Sequence, residues 1–136
     1  MRPYVHAQTA ELLHHLAVQM KQLKHAQKDE DALAIHNLRV ALRRLRQCLR
    51  VFADFFPAKQ REKVGEHLKR IMHACGEVRD RDIAVVLLAE AGVDESSPLL
   101  KRIRKQRRSA RHSVDKALRR WTNSGLARSF KAEIEA

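Results

Sequence analysis

Five residues share one register and one chemistry: His36, Arg39, Arg43, Arg46 and Arg50. Steps of 3, 4, 3 and 4 residues keep them on one side of a helix. A planar guanidinium grips phosphate oxygens through two parallel hydrogen bonds, so a row of them suits a repeating polyanion. The line runs one residue ahead of the apolar stripe Ile35, Leu38, Leu42, Leu45 and Leu49. One residue is a rotation of about 100°, so the cations flank the core face and do not oppose it. A second line repeats the offset. Core positions 100, 103, 107 and 110 step to Lys101, Arg104, Arg108 and Arg111, and the line ends at Asp115. A sparser version is His14, Lys21, Lys24 and Lys28, interrupted by Ala17. A fourth stripe departs from the rule. Its plus-one positions are Gly65, Lys69, Met72, Gly76 and Arg79, with Lys63, His67 and Arg70 on the other flank.

Antiparallel neighbours carrying such stripes turn them into one groove, floored by leucines and lined by Arg and His. The stripes of the second and fourth helices, the two most regular, are expected to line it. Like charges held that close repel, and a bound polyanion relieves the repulsion. Flanking arginines also cover the core edge with their stems while their heads reach water. The unbroken register of the second helix favours the groove.

The whole chain points the same way. Its 136 residues carry 28 Lys and Arg against 16 Asp and Glu, a net charge of +12, and 18 of the basic residues are Arg. A sequence pI near 10.5 calls for a polyanionic partner. Nucleic acid is the rival, but aromatics make up only 4% of the residues, little for stacking bases, and no zinc-finger or helix-turn-helix spacing is present. A phosphate-processing enzyme ranks third. It would need a nucleophile or metal-binding carboxylates among the arginines, and Asp80, Asp82 and Asp115 are the candidates. The expectation is a binding protein without catalytic residues, metal or cofactor. His36 reads as a phosphate contact, with a structural hydrogen bond or a catalytic base as alternatives. His14, His15, His67 and His73 follow no metal-ligand pattern. Of Asp80 and Asp82, one is expected to cap a helix and one to pin Arg79 or another arginine. Cys48 and Cys75 read as small buried apolar residues, and Trp121 as core at a bundle end.

These residues must be carried by helices. Four Gly and three Pro punctuate the chain, and no segment alternates with a period of two. Helices are expected over about 5–28, about 32–55 after a cap at Asp29 or Asp31, from Pro57 to a break near Gly76, then a short one over about 83–91 closed by Gly92. Ser97 and Pro98 open another, to about residue 123, and one more begins at about 126. The fold class is all-α: an antiparallel up-and-down bundle of four long helices plus a short helix, in a single domain over 1–136. No apolar run approaches the roughly 20 residues of a membrane span, and no secretory segment follows Met1, so a cytoplasmic protein is expected.

Two segments carry a resemblance. Residues 36–46 read His-Asn-Leu-Arg-Val-Ala-Leu-Arg-Arg-Leu-Arg, and residues 75–83 read Cys-Gly-Glu-Val-Arg-Asp-Arg-Asp-Ile. In this order they resemble the CHAD family, the conserved histidine α-helical domain. His36, Arg39, Val40, Arg43, Arg44, Leu45 and Arg46 match the first motif, and Gly76, Arg79, Asp80, Asp82 and Ile83 the second, with Cys75 where Leu is usual. The resemblance implies a helical bundle that binds inorganic polyphosphate in a basic channel. It implies cytoplasmic proteins, some associated with polyphosphate or polyester storage granules. It makes His36, Arg39, Arg43 and Arg46 the first phosphate ligands and Arg79 the next, with Lys101, Arg104, Arg108 and Arg111 on a less sharply patterned helix. The family fold resembles two similar helical halves, and this chain corresponds to about the first. A homodimer is therefore expected to supply the second.

Overall fold

A computed structural model describes residues 1–135 of the chain. Five α-helices follow one another: α1 (Arg2–His25), α2 (Asp31–Val51), α3 (Ala58–Glu90), α4 (Pro98–Ser124) and α5 (Leu126–Glu135). Single 3-10 turns, Lys28–Glu30 and Ala53–Phe55, sit in the first two connections. No strand occurs among the described residues. The all-α, up-and-down architecture is as the periodicity predicts: α1 packs on α2, α2 on α3 and α3 on α4, while α5 lies against α1 and α4.

The 3,4 stripes become the core. Ile35, Leu38, Leu42 and Leu45 of α2 are fully buried, as are Val64, Leu68, Ile71, Cys75 and Val78 of α3. Val114 and Trp121 close the core from α4, and Phe130 and Ile134 from α5. Burial of a side chain such as Leu or Phe stabilises by roughly 1.5–3 kcal/mol, so these stripes set the roll of every helix. Cys48 and Cys75 are buried free thiols. Burial pushes the Cys75 thiol up to about 12, against the opposing charges of Arg39 and Arg111.

Two elements differ from expectation. Helix α3 runs unbroken through Gly76, so Ile83–Ala91 is not a separate helix but largely the last turns of α3. A mid-helix glycine costs only about 1 kcal/mol, and the buried neighbours Ile71, Cys75 and Val78 outweigh it. The short helix of the bundle is α5. Gly92 does end α3: at φ +81° its N–H donates to the Ala89 carbonyl, and Val93 N–H to Leu88. The second difference concerns the start of α2. Neither Asp29 nor Asp31 caps it; Glu30 holds the cap position without a side-chain cap bond, and its carboxylate accepts from Gln27 N–H at 3.2 Å.

At 33 residues α3 is about 50 Å long, whereas α2, at 21, is about 32 Å. The last turns of α3 and the first of α4 therefore extend beyond the level of Asp31 as a two-helix arm. Only Leu100 is buried there, while Ile83, Val86, Leu87 and Leu99 are exposed. No helix is long and apolar enough to cross a membrane among the described residues.

Candidate anion-binding site

The α2 stripe is held by its leucines and emerges at the edge of the core. His36, Arg43, Arg46 and Arg50 are exposed and Arg39 is half-buried. None of the five forms an ion pair among the described residues. Arg39 Nε is buried and meets no hydrogen-bond partner. A buried donor left unmatched costs about 1–3 kcal/mol, so this N–H calls for an acceptor.

Helix α3 supplies the facing wall. Arg46 and Arg50 look across a groove of 520 Å³ at Gly65, Glu66 and Lys69, with Arg61 and Glu62 also lining it. Further along, Arg39 acts on Cys75. Arg46 and Arg50 line the groove with Gly65, Glu66 and Lys69, and counting along two antiparallel helices from there brings half-buried Arg79 toward the level of His36. The α3 positions that break the basic rule in sequence are thus the second wall of the groove. A Cβ on Gly65 or Gly76 would meet nothing within 4 Å, so helix packing does not require either glycine. Lys69 belongs to this wall although its stripe looked irregular. Its signal was the pair of glycines in mid-helix, 11 residues apart.

The α4 line sits elsewhere and behaves differently. α4 packs on α3 and meets α2 through Asp31, so the second and fourth helices, which run the same way in an up-and-down bundle, are not the close antiparallel neighbours expected to share a groove. Lys101 and Arg108 are exposed. Arg104 donates to Glu95 Oε2 at 2.6 Å. Arg111 Nε donates to both Asp31 oxygens at 3.0 and 3.1 Å, and its Nη1 to Asp115. Position 107, counted on the core stripe, is itself an arginine. Its Nε donates to Asp82 Oδ1 at 2.8 Å and its Nη2 to Asp31 Oδ2 at 2.8 Å. Burial opposes the charge on Arg107 and Arg111, but the hydrogen bonds to these carboxylates outweigh it and raise both pKa values. Asp31 is an anchor joining α2 to α4. Asp82 pins an arginine, as one of the two aspartates was expected to do; Asp80 is exposed, and because α3 runs unbroken past both, neither caps a helix.

His67 is half-buried against Trp121, ring centroids 5.7 Å apart. Burial lowers its pKa, and the charges of Arg70 and Arg120 add to the effect. No group of three or more His, Cys, Asp or Glu is gathered as a metal site among the described residues.

No curated protein and no solved structure matches the chain. The model of the CHAD domain family matches it over residues 6–136, nearly its full length, and the chain belongs to that family.

Proposed function

We propose that the protein binds inorganic polyphosphate along the α2–α3 groove. The CHAD domain is associated with polyphosphate binding and metabolism in general. The observation that carries the finer reading is the run His36, Arg39, Arg43, Arg46 and Arg50, free of carboxylate partners among the described residues. Lys69 and Arg79 add charge from the facing helix, and the bare backbone at Gly65 and Gly76 gives a thin phosphate chain room for close approach. Of the α4 residues, Lys101 and Arg108 are free to contribute at a distance, whereas Arg104 and Arg111 already hold carboxylates. The role is binding, not catalysis. It is exercised in the cytoplasm, at polyphosphate or storage granules, by a homodimer in which a second copy covers the exposed Ile83, Val86 and Leu87 of the arm.

The test is a titration with polyphosphate, single-stranded and double-stranded nucleic acid at matched phosphate and salt, repeated on the variant Arg39→Glu/Arg43→Glu/Arg46→Glu. Polyphosphate should bind tightest, with an affinity that falls as salt rises, and the variant should lose it. Equal affinity for all three ligands, or an unaffected variant, overturns the reading. Light scattering at one chain mass, with and without polyphosphate, would remove the homodimer.

A further inference from the structure

The bundle has an open seam. Gly125, at φ +69°, breaks the chain between α4 and α5, and α5 then packs on α1 through buried Phe130 and Ile134. Above that break α1 and α4 do not pack closely. The cleft left between them has a volume of 980 Å³, at the upper end of the range for small-molecule sites. Its floor is apolar: Met20 and Leu23 from α1, Leu118 and Trp121 from α4. Its rim is cationic: Lys21 and Lys24 from α1, Arg119 from α4, Arg128 from α5. None of these four rim cations has an ion-pair partner among the described residues. Asp115, the one carboxylate in the lining, is bound to Arg111. Lys21 and Lys24, two members of the sparse basic line of the first helix, find their place here.

We propose that this seam binds an amphipathic anion, a single acyl or alkyl chain with a phosphate or carboxylate head. The two halves of such a ligand match the two halves of the cleft. An apolar tail removes half-buried Met20 and Leu118 from water, a gain proportional to the area covered, and lies close to buried Trp121. The anionic head meets ammonium and guanidinium groups that have no other partner. Inorganic phosphate offers nothing to the floor, and a neutral amphiphile nothing to the rim.

Trp121 is the only tryptophan, so its emission reports on this cleft. The probes are dodecyl phosphate, dodecanoate, dodecyl maltoside and tripolyphosphate, each below any micelle concentration, with calorimetry to give stoichiometry. Saturable one-to-one binding of at least one anionic amphiphile, with a shift in Trp121 emission, is expected. The maltoside should bind at least tenfold more weakly, and tripolyphosphate should leave the emission unchanged. The two anionic heads, compared directly, show which is preferred. Lys24→Glu/Arg128→Glu should weaken binding at least tenfold with an unchanged circular dichroism spectrum; Lys21→Glu alone serves if the double variant does not fold. The Arg39→Glu/Arg43→Glu/Arg46→Glu variant should bind the amphiphile as the parent does, which separates this site from the polyphosphate groove. Equal binding of the maltoside, an equal response to tripolyphosphate, or indifference to the rim variants would overturn the proposal.

Discussion

The arginine stripes of α2 and α4 are near copies in sequence and opposites in structure. Both step one residue ahead of a core stripe. On α2 the guanidinium heads form no ion pair among the described residues, although Glu62 and Glu66 line the same groove, and one buried N–H lacks an acceptor. On α4 two of the four cations are held by acids, and Arg107, inside the core stripe, is held by Asp82 and by the Asp31 it shares with Arg111. Spacing selects where a cation sits on a helix. Whether the cation is available to a ligand depends on which acids the topology brings to it.

The sharpest way to break this contrast is to reverse each stripe in turn. Arg39→Glu/Arg43→Glu/Arg46→Glu should weaken polyphosphate binding by at least about 100-fold at low salt and flatten the salt slope by about 2–3, with stability changed by less than about 1 kcal/mol. Arg104→Glu/Arg108→Glu/Arg111→Glu should do the reverse: modest loss of binding, measured by the same titration, and marked loss of stability in a urea melt. If both triples lose binding equally, the two stripes act as one site.

Asp31→Asn should cost about 3 kcal/mol in the same melt, because it leaves Arg107 and Arg111 partly buried without their shared carboxylate. Polyphosphate affinity should stay within about twofold, a change of under about 0.5 kcal/mol. Gly76→Ala should move in the other direction. The site is open, so the helix gains about 1 kcal/mol in thermal or urea stability. A simultaneous loss of polyphosphate affinity would show that the ligand uses the bare backbone.

The smallest effect is in pH. The His67 pKa is lowered by burial and by Arg70 and Arg120. The unfolded chain therefore binds a proton more readily than the folded one, and stability is full above the unfolded value of about 6.5 and declines as pH falls below it. His67→Gln should flatten that decline, read from urea midpoints between about pH 7.5 and 5.5.

The α2 stripe was legible because a single helix contains the whole pattern, leucines and arginines alike. Its facing wall was not. Gly65, Lys69 and Gly76 look like an interrupted line until antiparallel packing sets them opposite the arginines. Gly76 misleads in a second way: a local cost of about 1 kcal/mol reads as a break, but burial of Cys75 and Val78 beside it decides the outcome. The clamp on Asp31 joins residues 76 and 80 positions apart, a distance that periodicity does not reach. One sign of it was present, since an arginine at core position 107 requires a buried acid somewhere.

That clamp also divides the molecule mechanically. On its bundle side, four or five helices share one core. On its far side, two helices hold only each other, around Leu100. Amide protons from about residue 83 to 106 should then exchange through openings well below the global unfolding energy, while those of α2 and the middle of α3 wait for the whole bundle to open. The ring of Arg107, Arg111, Asp31 and Asp82 would be the boundary between two cooperative units, the arm being the one that opens first.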